Sequence, residues 1–576
     1  MASLQSSFTA VAATTNSPFR KPSQLGSRRS HGRFQVSCSS GGGGSGRIDR
    51  RNMLLGLGGL YGAGSAIRKA EALPILPPDL STCDPEGAYT TRNQEVISLD
   101  VNCCPPYTDV QSDYKLPRFT KPRVRPAAHR LTPEYVRKYE LAIRKMKELD
   151  VTDPDDPRGF TQQANIHCAY CNGPYDQVDH PGIDIQVHNS WIFFPFHRWY
   201  LYFFERIMGE LIGDPDFALP YWNWDNPRGM QMPRPFDREE SPLYDVNRDP
   251  THRPPALVAL AITTPPITDP VTIIENNLTQ MYKEMIGDVE SAIDFMGDPY
   301  VSGDLPPPRA KGGLSEGGSH GGVHVWTGNP ANDFREDMGN FYSAGRDPLF
   351  YAHHANVDRM WTIWKTIPSV FPKDINDLVV PNPDDFNNAA FMFYDEKKNL
   401  VRVKVADCLD HTKMGYVYEH SETPWTAYRP PRREVPVNIE DLSKRAESGD
   451  NLFPLTLNKT HRVLVPKPTK GKADEVLVLE NIITDSSKLV RFDVFVNDED
   501  DKPEDLARAE FAGSFTQIPH RVRAAESAND LRLNLRELYE NINIADDDFI
   551  VVTIVPHING DDVTIGGIKI IPRVTA

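Results

Sequence analysis

A mainly helical core followed by a C-terminal all-β sandwich is the architecture this 576-residue sequence predicts, on three observations. Apolar residues recur at helical spacing in segments between Pro133 and Lys365. From Pro424 to Asn451 the chain turns polar and proline-rich, with little to bury. Beyond that stretch the hydrophobic period changes to two, the mark of strands with one face covered.

The elements follow in chain order. Before the core, the first acidic residue is Asp49, preceded by Ser, Thr and Gly with Arg20, Lys21, Arg28, Arg29, Arg33 and Arg47. That composition reads as a transit peptide. Arg50-Arg51, the apolar run Met53 to Ile67, Arg68-Lys69 and the small-residue site Ala70-Glu71-Ala72 then resemble a twin-arginine export signal. The apolar run is glycine-rich and shorter than the roughly 20 residues that span a bilayer. Residues 1–72 are therefore expected to direct chloroplast import and transfer to the thylakoid lumen, with no stable membrane insertion.

From Leu73 to about Arg125 the chain is proline-rich and irregular, suited to wrapping a core. Tyr135, Tyr139, Ala142, Ile143, Met146 and Leu149 define an amphipathic helix from Pro133 to Leu149. Trp191 to Ile212 is apolar almost all round, as a helix inside a bundle would be, and a third helix is expected from Asp347 to Lys365. The predicted core, 73–423, is a four-helix bundle. The segment 424–451 reads as an exposed, protease-sensitive linker. Strand-like runs at Arg462–Val465, Glu475–Ile483, Leu489–Val496, Phe549–Val555 and Val563–Ile571 then predict a β-sandwich over 452–576.

Charge excludes some functions. The first 72 residues hold ten Lys/Arg against two Asp/Glu, so the overall −16 leaves −24 on the remainder. Such acidity opposes binding to nucleic acid or anionic lipid. Beyond Cys38 there are Cys83, Cys103, Cys104, Cys168, Cys171 and Cys408. In an oxidising lumen the first five favour disulfides; reduced, buried thiols are the alternative.

Of sixteen histidines, six fall into two groups: His167, His188 and His197, then His320, His324 and His354. His320 and His324, four apart on a helix, project from one face and can share an ion. His197 in "FFPFHRWY" and His354 in "DPLFYAHHANVDRMW" sit in segments too apolar to be exposed. An all-imidazole set selects against Mg, Ca and Mn and argues for copper or zinc. The Glu-x-x-His pairs of di-iron bundles are missing, and only Glu316 is a candidate for the carboxylate base of a zinc hydrolase.

The strings "HCAYCNG", "HNSWIFFPFHRWYLYFFE", "HGGVHVWTG" and "DMGNFYSAGRDPLFYAHHANVDRMW" resemble the copper A and copper B signatures of plant polyphenol oxidases, the catechol oxidase and tyrosinase family of type-3 copper proteins. The resemblance runs from about Leu73 to the C-terminus. It implies two copper ions, with O2 as co-substrate oxidising o-diphenols to o-quinones and reduced to water. Copper A would be held by His167, His188 and His197, copper B by His320, His324 and His354. Spacing alone does not choose between His353 and His354; the resemblance assigns the second. It further implies a thioether between Cys171 and His188, disulfides Cys83–Cys104 and Cys103–Cys168, and a free, buried Cys408.

Phe341 resembles the family's aromatic gate over copper A, although core packing would explain it locally. Glu316 matches a carboxylate that holds an active-site water; the plain alternative is a solvated acid in a glycine-rich loop. Tyr416-Val417-Tyr418 matches the Tyr-x-Tyr element that closes the catalytic core. Relatives with strong monophenol hydroxylation often carry Asn directly after the first copper B ligand, where this chain has Gly321. The expectation is a diphenol oxidase made as a latent precursor, with Val325, after His324, as another residue able to govern access. A tyrosinase-type monophenol hydroxylase is the alternative within the family. Outside it stand an oxygen carrier and a dinuclear zinc hydrolase.

Overall fold

Thr132 caps the first long helix of the core by accepting the Tyr135 N–H at 3.2 Å, with Pro133 in its first turn. This helix, α1 (Pro133–Thr152), buries the stripe Tyr139, Ala142, Ile143 and Met146. The computed structural model describes residues 73–573 apart from 85–87, 93–94, 109–110, 307–311, 370, 372, 376–381, 436, 448–451, 469–473, 501–504 and 522–528. The address signals expected over 1–72 lie outside the described residues. Among the described residues no helix is long and apolar enough to cross a membrane.

After α1 come α2 (Phe160–Cys171), α3 (Phe193–Ile212), α4 (Pro270–Tyr282), the short α5 (Gly321–Thr327) and α6 (Pro348–Trp364). α1 packs on α2 and α3, and α3 on α6, which makes the bundle. α3 is buried on nearly every face and stops at Gly213, whose φ of 67° is left-handed and costs little without a Cβ. At the start of α6, Asp347 caps the Leu349 N–H at 2.7 Å and takes Arg248 in a two-pronged ion pair at 2.6 and 2.8 Å. The helical pattern thus marks α1, α3 and α6, but α2 escapes it. Almost all of α2 is buried, so no polar stripe betrays its period.

The irregular N-terminal segment does wrap the core. Ile75 O accepts the Ala390 N–H, Gln111–Asp113 pairs in parallel with Leu400–Lys404, and Arg123–Arg125 pairs with Tyr416–Tyr418. Disulfides Cys83–Cys104 and Cys103–Cys168 fasten it, the second reaching α2.

The C-terminal region is a sandwich of two antiparallel sheets. Strands β1 (His461–Pro466), β2 (Glu475–Ile482), β3 (Val490–Val496), β4 (Phe511–Gln517), β5 (Asn529–Asn534), β6 (Phe549–Ile558) and β7 (Gly567–Pro572) form sheets ordered β1-β6-β3-β4 and β5-β2-β7. Val463, Phe492, Val494, Val552 and Ile554 from one sheet meet Leu477, Leu479, Leu533 and Ile570 from the other. Strands β4 and β5 were not expected; "FAGSFTQ" and "NDLRLN" carry too few large apolar residues to announce themselves.

Most described residues of the stretch 424–451 are exposed, but it is anchored at several points. Trp425 is fully buried and its indole N–H donates to Asp225 at 3.0 Å. Arg429 pairs with Glu537 and Glu540, and Arg433 with Glu499 and Glu510. Its polar residues stitch it to the sandwich by ion pairs, which a hydropathy pattern does not register.

Candidate metal centre

α2 brings His167, α3 brings His197, and the loop leading into α3 brings His188. On the opposite side, a single π-helical turn (Glu316–His320) runs into α5 and presents His320 and His324, while α6 supplies His353 and His354. Two clusters result, His167/His188/His197 and His320/His324/His353/His354, each with one ligand atom per residue mutually within 4.8 Å. The rings face across the bundle: His197 stacks on His354 with centroids 4.3 Å apart, and His188 on His320 at 6.0 Å.

The backbone orients these rings. Nδ1 of His167 donates to Phe341 O at 3.0 Å, that of His197 to Phe193 O at 2.9 Å, that of His320 to Glu316 O at 2.9 Å and that of His324 to Met338 O at 2.7 Å. A carbonyl only accepts, so each of these nitrogens carries the proton and each Nε2 keeps its lone pair. The Nε2 atoms of His167, His197 and His320 are buried with no hydrogen-bond partner among the described residues. Nε2 of His324 and Nε2 of His354 face each other at 3.3 Å. Burial pushes His197 down to about 3 and His167, His320 and His354 well below the imidazole range, so the rings are neutral donors. Buried lone pairs gathered this closely fit a bound cation, and an all-imidazole set fits copper.

His353 is different. Its Nδ1 accepts the indole N–H of Trp224 at 3.1 Å, so the proton of the neutral ring is on Nε2 and neither nitrogen offers a free lone pair. This separates two adjacent histidines that spacing could not.

Gln186 emerges as a supporting residue that the sequence reading did not single out. Its Oε1 accepts both the backbone N–H of His188 at 3.0 Å and the ring Nδ1–H at 3.1 Å, while its Nε2 donates to Cys171 O at 2.7 Å. Position two before a histidine was the available signal, but polar residues near ligands are common. Cys171 and Cys408 are both buried and outside the disulfides. Burial raises the Cys171 thiol well above its ordinary value, with the Glu316 carboxylate adding to the effect.

Glu316 is not a solvated loop acid. It is 2% exposed and its Oε1 accepts the Asn189 N–H at 2.6 Å, next to His188. Phe341 stacks on His188 with centroids 4.1 Å apart and planes 18° apart. Gly321 sits under the sandwich: a Cβ there would lie 3.8 Å from Thr516 and 4.0 Å from Ile518. Val325 lines a cavity with Trp326, Ile262 and Ile558.

Two facing imidazole triads inside a helical bundle, followed by a sandwich, define a tyrosinase-type protein. Residues 157–367 match the common central domain of tyrosinase, 381–431 the polyphenol oxidase middle domain and 453–572 the chloroplastic polyphenol oxidase C-terminal domain. The chain is 45% identical to polyphenol oxidase II, chloroplastic, of Ipomoea batatas, covering 97% of this chain and 96% of that one. It is 44% identical to catechol oxidase B, chloroplastic, of Solanum tuberosum, covering 99% and 97%. Its fold resembles that of latent apple tyrosinase, with a TM-score of 0.73 and 45% identity, covering 80% of this chain and 99% of that one. The chain belongs to the plant polyphenol oxidase family and is a type-3 copper oxidase of the catechol oxidase kind.

Proposed function

We propose that the chain binds two copper ions, one through His167, His188 and His197 and one through His320, His324 and His354, and oxidises o-diphenols with O2. Two diphenols and one O2 give two o-quinones and two waters. Copper supplies the one-electron steps that couple these changes. The observation that carries the assignment is the inward set of Nε2 lone pairs, held by Nδ1 bonds to main-chain carbonyls.

The chain's own residues prepare the reaction. Phe341 offers a flat face beside His188 over which a planar phenol is sorted. Glu316, anchored by Asn189, is the carboxylate placed to hold a water and move a phenolic proton. Gln186 spans Cys171 and His188, which supports the proposed thioether between them because the same amide holds both partners. Gly321 has no side chain to orient that water, which favours diphenols over monophenols. Val325 is assigned a place at the rim of access.

The proposed division is a catalytic core over 73–423, a connecting segment over 424–451 and a shielding sandwich over 452–576. The Phe341 N–H donates to Pro519 O at 3.3 Å, His520 lies 5.5 Å from the Phe341 ring, and Ile518 packs within the core's apolar cluster. Latency follows from that cover. The relatives above are chloroplastic; the double address of residues 1–72 supports the thylakoid lumen.

Metal analysis with oxygen uptake tests the reading. Protein made with copper available should hold two copper ions per chain and consume O2 with catechol once the sandwich is removed. One copper per chain, or stoichiometric zinc, defeats it.

A further inference from the structure

A cavity of about 700 Å³ lies beside α5, lined by Pro255, Ile262, Ile267, Val325 and Trp326 from the core and by Ile558 from the sandwich. None of its lining residues is one of the six histidines. One wall is a fixed aromatic pair. His252 stacks on Trp326 with centroids 4.4 Å apart and planes 5° apart, and its Nδ1 is tied to Trp326 O at 2.5 Å.

Arg335 lines the same cavity. Among the described residues its guanidinium makes no hydrogen bond or ion pair, and the one charge that acts on it is Asp249. The Oδ1 of that carboxylate already accepts from Thr251 N and Oγ1, at 2.8 and 2.6 Å. Arg335 is partly buried, and burial lowers its pKa from the ordinary value. Its backbone is also unusual. Arg335 has φ of 56°, a left-handed conformation that a non-glycine residue rarely adopts. Gly328 and Gly339 pack against it so closely that a Cβ on either would fall 2.9 and 2.6 Å from Arg335 O. The fold thus holds an unpaired cation in a strained position at the edge of an apolar chamber.

We infer that this cavity is a binding site for an aromatic monocarboxylate, its ring against the prolines and the His252 face backed by Trp326, and its carboxylate on Arg335. A guanidinium meets a carboxylate through two parallel hydrogen bonds, which would satisfy the donors Arg335 leaves open. Flat, stiff walls suit a ring better than a flexible chain, which loses more entropy on ordering. One free cation with Asp249 nearby suits a single negative charge.

The test is calorimetric titration of the copper-loaded full-length chain with trans-cinnamate, which lacks phenolic hydroxyls to oxidise, with and without tropolone occupying the copper centre. The expected result is one cinnamate per chain that persists with tropolone present. Arg335→Gln should weaken it about tenfold or more. Ala259→Phe, which narrows the chamber and leaves Arg335 in place, should weaken it as well, so the outcome does not depend on one variant folding. Circular dichroism and copper content confirm that each variant is intact. Binding that Arg335→Gln leaves unchanged, that cinnamyl alcohol matches, that dodecanoate exceeds, or that tropolone removes entirely overturns the inference.

Discussion

His353 and His354 are neighbours on one helix, both fully buried and both within reach of the same cluster. What separates them is one hydrogen bond, from Trp224, that spends the Nδ1 lone pair of His353 and sends its proton to Nε2. His353→Asn, which keeps an acceptor for Trp224, is therefore expected to retain two copper ions per chain. His354→Asn should lose one of them and with it oxidase activity. Metal analysis of the two purified variants decides this, and copper loss in His353→Asn would reverse the assignment. Gly321 is decided at the same scale. The space around its missing Cβ begins at 3.5 Å, so a side chain is tolerated, but a longer one presses on Thr516 and Ile518 of the sandwich. Gly321→Asn in the processed core should raise the ratio of monophenol hydroxylation to catechol oxidation several-fold, measured with tyramine and its catechol counterpart. An unchanged ratio would remove Gly321 from the specificity determinants.

Between elements, the bundle is locked by a buried charge network rather than by apolar packing alone. Glu205 of α3 takes Arg123 and Arg125 at 2.8 Å each, and Asp358 of α6 takes Arg198 of α3 at 2.6 Å. Tyr416 and Tyr418 both donate to Asp358, at 2.6 and 2.5 Å, so the Tyr-x-Tyr strand ends on the helix that carries His354. Burial alone would raise the Asp358 pKa, but the Arg198 and Arg125 charges and the two phenols outweigh it and hold it at about 2. A carboxylate lowered on folding adds stability that is complete above its unfolded value, near 3.9, and lost as pH falls through its folded value. Asp358→Asn leaves two buried arginines underpaired and should cost roughly 3 kcal/mol at neutral pH, read as a lower urea midpoint. The gap from wild type should narrow between about pH 4 and pH 2. A gap that stays constant over that range would show that Asp358 does not act through its charge.

For the whole molecule, the sandwich meets the core through apolar clusters that include Ile518 and Ala261, and through polar contacts as well. Arg573 pairs with Glu290 and Asp294, Lys283 Nζ donates to Phe511 O at 2.6 Å, and Arg521 N donates to Asn172 at 2.9 Å. The Ile518–His520 turn lies against Phe341, whose N–H donates to Pro519 O. Ile518→Gly should open access and raise catechol turnover of the full-length chain several-fold without changing copper content. Cleavage after the core should raise it further. Because Trp425 is buried and bonded to Asp225, the useful cut within the connecting segment is expected beyond Ala427. A stable core no more active than the full chain would show that the sandwich does not shield the site.

Periodicity and composition alone determined a good deal of this protein: α1 and α3 by their apolar spacing, the change to strands beyond the proline-rich stretch, and two histidine groups whose all-imidazole chemistry points to copper or zinc. These are local properties, written in the order of side chains. The long copper signatures named the ligands only through resemblance. The tertiary structure decided what depends on residues distant in sequence. Trp224 settles the tautomer of His353 across 129 positions, and Asn189 fixes Glu316 across 127. The sequence leaves Glu316 open between a water-holding carboxylate and a solvated loop acid, because its glycine-rich neighbours carry no burial signal; the surroundings that bury it come from elsewhere. α2 was illegible for the converse reason, since a helix covered on every side has no polar face to reveal its period. Ion pairs that bind the 424–451 stretch to the sandwich are likewise invisible in hydropathy, because the pattern records which residues are polar and only the fold supplies their partners.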